Sequence, residues 1–163
     1  MKSLLILYHS RTGGTEAMAR AALEGAQAES GVVTRLLTAA EASPDDLIAA
    51  DGAIFASPEN LATMAGVMKD FFDRAYHPAL GQIEGRPYAT MICAGSDGEG
   101  AARQMARIAT GWRMKAIAAP LIICTHAQTP EAILAPKTIA APELARCRDL
   151  GQAMAAGLGI GMF

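Results

Sequence analysis

The sequence predicts an α/β fold: a parallel sheet with helices on both faces. Three observations predict it. Five short runs are apolar almost without interruption, as in strands buried on both faces. Between them lie alanine-rich or amphipathic stretches of helical length. The two kinds alternate along all 163 residues without a repeat or a dividing linker, so a single domain spanning 1–163 is expected.

Leu4-Leu5-Ile6-Leu7-Tyr8 is the first strand and ends at a polar, glycine-bearing loop. A helix follows from Thr15 to Glu29, with Met18, Ala22 and Leu23 on its apolar face. Val32 to Leu37 reads as the second strand, and Ser43-Pro44-Asp45-Asp46 opens a short helix reaching Ala50, with Pro44 in its first turn. Gly52 to Ser57 is the third strand, which Pro58 is expected to end. Met64, Val67, Met68, Phe71 and Phe72 recur at helical spacing and predict a helix over Leu61 to Tyr76, followed by a loop from His77 to Arg86. Its apolar surface exceeds what one sheet face is expected to cover, which points to a homodimer or homotetramer. Pro87 to Ala94 is the fourth strand, Ala101 to Thr110 a helix and Ala118 to Thr125 the fifth strand. A loop with Pro130 and Pro136 leads to a last helix, Pro142 to about Ala156, and a fraying glycine-rich end, Gly157 to Phe163.

Composition narrows the function. Fourteen basic and 16 acidic residues give a net charge of −2 without a basic run, which argues against nucleic acid as a partner. A dedicated electron carrier docks through a strong single-sign field, and the mild balance argues against that too. Cys93, Cys124 and Cys147 are dispersed and read as reduced thiols, consistent with the cytoplasm. No apolar run is long enough for a membrane span, and no cluster has metal-ligand spacing.

In parallel sheets, ligands sit beyond the carboxyl ends of the strands. Three loops there have unusual chemistry. Ser10-Arg11-Thr12-Gly13-Gly14-Thr15 offers hydroxyls, a flexible backbone and a helix N-terminus suited to a phosphate. The same residues also suit an ordinary strand-to-helix turn with a Thr cap. The Walker pattern and the Gly-x-Gly-x-x-Gly fingerprint are both absent from this loop. Ser57-Pro58-Glu59-Asn60 offers amide and side-chain partners for a polar ring edge, and Met64 suits either a flat ring or the core. Gly95-Ser96-Asp97-Gly98 is flexible and polar, with Asp97 or Glu99 equally suited to cap the next helix. Trp112 is expected to be buried against the sheet. Tyr76 and His77 suit a site mouth or an interface, and His126 is given no role.

The first loop resembles the Ser/Thr-x-Thr-Gly-x-Thr phosphate loop of the flavodoxin family and its NAD(P)H-dependent FMN reductase and quinone reductase relatives. Ser57-Pro58-Glu59-Asn60 through Met64 to Arg74 is similar to the reductase-type second loop and helix. The resemblance implies a flavodoxin-like three-layer sandwich with a five-stranded sheet of order 2-1-3-4-5. It implies FMN held by Ser10 to Thr15, Ser57 to Met64 and Gly95 to Gly98. It also implies NAD(P)H as the electron donor and a small-molecule acceptor: a quinone, a nitro or azo compound, or free flavin. The family often stacks an aromatic on the flavin from the second loop. Leu61-Ala62-Thr63 has none, leaving open space above the ring. Flavin chemistry needs no protein acid or base, so no catalytic residue is assigned. A flavodoxin-type electron carrier and a flavin-free interaction or regulatory protein of the same fold are the alternatives.

Overall fold

Lys2–Tyr8 forms β1, an inner strand of the sheet in a computed structural model that describes residues 1–163. Leu4 to Leu7 are all buried, because one alternating set of side chains faces each layer of helices. The chain continues through α1 (Gly14–Gln27), β2 (Val32–Thr38), α2 (Pro44–Ala49), β3 (Gly52–Asn60), β4 (Thr63–Met64) and α3 (Gly66–Ala79). Then come β5 (Pro87–Ala94), α4 (Glu99–Gly111), β6 (Lys115–Ala116), β7 (Leu121–Cys124), α5 (Pro130–Leu134) and α6 (Ala141–Gly159).

The main sheet is parallel and runs β2-β1-β3-β5, with β6 and β7 both pairing β5. β6 and β7 therefore share one strand position, and the sheet keeps the expected five-place order. The fifth strand is shorter than expected: residues 118–120 leave the ladder, and Pro120 has no N–H to offer it.

Two cores flank this sheet. On one face Phe55, Phe71, Phe72, Met105 and Trp112 pack beneath α2, α3 and α4. On the other, Ile6, Met18, Ile54, Met91 and Met154 pack beneath α1 and α6. α1 and α6 touch backbone to backbone: a Cβ on Gly25 would lie 1.9 Å from the Arg148 carbonyl oxygen.

Several expectations are corrected. Pro58 does not stop β3, which runs on to Asn60. The His9 N–H donates to the Ala56 carbonyl, so Ala56 faces β1; Pro58, two residues on, faces the same side beyond the end of β1. Its missing N–H costs nothing there. Leu61 to Ala65 is not helical: Glu59 and Asn60 pair antiparallel with Met64 and Thr63 in a hairpin, and α3 starts at Gly66. α3 also outlasts Tyr76, because Ala75 and Ala79 are buried.

Met64, Met68, Phe71 and Phe72 of the expected apolar face are covered within the chain, and Val67 alone of that face stays exposed. α5 occupies part of the expected loop, with the Thr129 hydroxyl accepting from the Ala132 N–H. α6 reaches Gly159 instead of fraying, since Leu158 is buried and the Phe163 ring covers Gly157. No helix is long and apolar enough to cross a membrane.

Candidate functional site

The strand order reverses at β1, and the loops after β1 and β3 flank that switch point. A cavity of about 540 Å³ opens there, within the size range of small-molecule sites.

The β1–α1 loop forms one wall. Gly13 caps α1 in the left-handed conformation (φ 94°), and its N–H donates to Ser10 Oγ at 3.1 Å. That conformation is strained for any residue with a Cβ. No side chain caps α1, contrary to the simple turn with a Thr cap. The first intrahelical donor is Ala17, bonded to the Gly13 carbonyl. The amides of Gly14, Thr15 and Glu16 thus precede the ladder and stand open at the positive end of a 14-residue helix. Ser10, Arg11, Thr12, Gly14 and Thr15 all line the cavity.

The hairpin forms a second wall, with Pro58, Glu59, Asn60, Leu61 and Ala62 on the cavity. Leu61 (φ 51°) and Ala62 (φ 65°) make the two-residue turn left-handed at both positions. Asn-Gly would suit such a turn; Leu-Ala is strained by about 1–2 kcal/mol per residue. Anchors on both sides hold it. Glu59 Oε1 accepts from the Gly98 N–H at 2.8 Å, and Oε2 from the Ala101 N–H at 3.2 Å. The Met64 N–H donates to Gln104 Oε1 at 2.9 Å, and the Ala65 N–H to the buried Ser57 Oγ at 3.0 Å.

Glu59, not Asp97 or Glu99, is thus the main cap of α4; Asp97 only accepts from the Glu99 N–H at 3.3 Å. Gly95 and Ser96, after β5, complete this part of the lining. Of the residues expected at the site, Gly13, Ser57, Thr63, Met64, Asp97 and Gly98 do not line the cavity. Gly13 and Ser57 shape it from behind, and Met64 is buried in the core.

Sequence reasoning missed the segment after β7. Thr125, Ala127, Gln128, Ile133, Leu134 and Lys137 form the remaining wall. Cys93, which the sequence does not single out for the site, lies on the cavity floor beneath Gly14. Burial pushes its thiol pKa up, against the opposing charge of Lys137. Behind the loop, burial and then the Arg11 charge push the His9 pKa down. Trp112 is buried as expected, its Nε1–H donating to the Tyr76 carbonyl at 2.9 Å, away from the cavity. No group of three or more His, Cys, Asp or Glu side chains is placed to hold a metal ion.

A family model described as NADPH-dependent FMN reductase matches residues 38–129, more than half of the chain. The chain belongs to that family. The matched residues include the hairpin and the β5–α4 loop, while the phosphate loop lies outside them and stands on its geometry.

A flavodoxin from Aquifex aeolicus is 35% identical over 100 residues, 61% of this chain and 54% of that protein. An NAD(P)H dehydrogenase (quinone) from Acidithiobacillus ferrooxidans is 38% identical over 45% of this chain and 47% of its own. The match thus spans about half the length of each of these relatives. A solved flavodoxin from the domain Archaea superposes with a TM-score of 0.77 at 19% identity, covering 96% of this chain and 98% of that one. At that identity it shows the flavodoxin-like fold.

The residues present fit FMN. Three open amides and the Ser10 and Thr12 side chains suit its phosphate. A cavity floored by β5 and rimmed by aliphatic side chains suits a flat ring with one polar edge.

Proposed function

We propose that the protein is an FMN-dependent oxidoreductase that passes electrons from NAD(P)H to a small-molecule acceptor such as a quinone, a nitro or azo compound, or free flavin. The uncapped N-terminus of α1, opening into a cavity shared with the hairpin and the β5–α4 loop, carries this reading. Bound there, FMN would supply two-electron transfer between the nicotinamide and the acceptor. The balance is NAD(P)H plus a proton plus acceptor, giving NAD(P)+ and the two-electron-reduced acceptor.

The chain's own residues bind, orient and shield. Gly14, Thr15 and Glu16 would present their amides to the phosphate, with Ser10 and Thr12 beside them. Asn60 and the backbone of Gly95 and Ser96 would meet the polar ring edge. Glu59 stays on α4, so it fixes the hairpin while its oxygens are already occupied. The absence of an aromatic from the lining leaves room above the ring for a second planar molecule. The three free thiols fit a reducing compartment, the cytoplasm.

A flavodoxin-type electron carrier is the second reading, favoured by the Aquifex relative and opposed by the net charge of −2. One experiment separates them: the visible spectrum of the FMN-loaded protein, taken under argon before and after adding NADH or NADPH. Bleaching of the flavin supports the oxidoreductase. A flavin that stays oxidised with both donors, yet gives a stable one-electron form on photoreduction, supports the carrier.

A further inference from the structure

α5 has five residues and none is buried, so it cannot hold itself together as a helix. What holds it is local: Thr129 at its start, and Lys137 beyond its end. The Lys137 ammonium donates to the carbonyls of Ala132, Ile133 and Ala135 at 2.7, 2.8 and 2.6 Å. All three of its protons are used, so the charge is committed to α5 rather than free for a ligand. The backbone N–H of the same residue donates to the Thr12 carbonyl of the phosphate loop at 2.8 Å. Its Cβ lies 3.3 Å from where a Cβ on Gly14 would sit. One residue therefore grips the phosphate loop with its backbone and α5 with its side chain.

α5 also exposes two adjacent aliphatic side chains, Ile133 (51%) and Leu134 (60%), at the cavity. The hairpin brings Leu61 to the same cavity from β3, on the other side of β5, and no aromatic side chain lines it. We propose that Lys137 is a positioning residue coupling the phosphate loop to α5, and that α5 is a flap whose Ile133 and Leu134 supply apolar contact to the flavin ring. This rests on the reading of the site as an FMN site.

The test is amide hydrogen exchange of the full chain with and without millimolar inorganic phosphate, flavin absent. Phosphate should slow exchange at Gly14 to Glu16, and also at the Ile133 and Ala135 amides of α5. In Lys137→Met the first effect should persist and the second vanish, and Lys137→Arg should restore it. Unchanged exchange in β1 and β3 shows that each variant folds. The second arm measures flavin affinity by fluorescence for Ile133→Ser combined with Leu134→Ser. FMN and riboflavin should both bind about tenfold more weakly, since both carry the ring that these side chains would cover.

The coupling is overturned if phosphate protects Gly14 to Glu16 without reaching α5, or if Lys137→Met responds as the parent does. The flap role is overturned if the double variant binds riboflavin as tightly as the parent. If phosphate protects neither segment and FMN does not bind the parent, the FMN reading itself fails and takes the flap with it.

Discussion

Replacing Gly100 by alanine adds one methyl group to the first turn of α4. In most helices that change gains up to about 1 kcal/mol, because alanine is the better helix former. Here the new Cβ would lie 2.0 Å from the Ala62 carbonyl oxygen and 2.9 Å from its carbon. The obstacle is backbone, so the hairpin has to retreat by about 1 Å before the approach is tolerable. A retreat of that size takes Glu59 Oε1 from 2.8 Å to beyond hydrogen-bond reach of Gly98. Overpacking costs about 1–3 kcal/mol and a broken charge-assisted bond about 1.5–3 kcal/mol. After the helix gain, the expected net loss is about 1.5–5 kcal/mol. Urea denaturation of the parent and Gly100→Ala measures it, with Gly66→Ala as the control. Nothing lies within 4 Å of a Cβ at Gly66, which is also at the start of a helix, so that variant should be neutral or stabilised. Gly100→Ala should also weaken FMN binding, because Asn60, Leu61 and Ala62 move with the hairpin. A Gly100→Ala variant as stable as the parent would refute the packing of the hairpin on α4.

Three further outcomes are expected at the hairpin and at α2. Leu61→Asn combined with Ala62→Gly should raise stability by about 1–2 kcal/mol in thermal or urea unfolding, because both positions are left-handed; a loss would show that the turn is not of this type. Ser57→Ala should cost about 1–3 kcal/mol, since it leaves the buried Ala65 N–H without its acceptor; a difference below about 0.5 kcal/mol would contradict that bond. The backbone N–H of Ser43 lowers the Asp46 carboxyl pKa, burial opposes this, and the Ser43 hydroxyl and Arg35 reinforce it. A carboxylate with a depressed folded-state value stabilises fully above its unfolded value of about 3.9, and loses this as pH falls toward the folded value. Asp46→Asn should therefore be less stable than the parent at pH 7, with the gap closing below about pH 4 in acid titrations of unfolding. A gap that does not depend on pH would contradict the bonds that the Ser43 N–H and hydroxyl donate to the Asp46 carboxylate.

The order of the elements is legible in the sequence because buried parallel strands write themselves as almost unbroken apolar runs, such as Leu4 to Leu7 and Met91 to Ala94. The phosphate loop is legible for a local reason as well, since its hydroxyls and glycines lie together in the chain. The hairpin is not. Its turn is Leu-Ala, which local preference disfavours, and its support comes from Gly98, Ala101 and Gln104, some 40 residues away. Helical spacing from Met64 to Phe72 then draws the helix start too early, although Met64 is buried from a strand. Glu59 is expected from the sequence to meet the cofactor, but its partners are amides of α4 that only the fold brings near. α5 does have a local signal, Thr129-Pro130-Glu131, yet it buries nothing and leaves no apolar period to detect. Lys137 is invisible for a related reason: its importance lies in a backbone bond to Thr12, 125 residues earlier.

If the α1 N-terminus holds the phosphate of FMN, the purified apoprotein must distinguish FMN from riboflavin, which differ only by that phosphate. Two or three charge-assisted bonds to open amides should make FMN bind at least about 100-fold more tightly, with the advantage shrinking as salt rises. Titrating the apoprotein with each flavin and following flavin fluorescence measures the ratio. Equal affinities for the two flavins would contradict a phosphate site at α1.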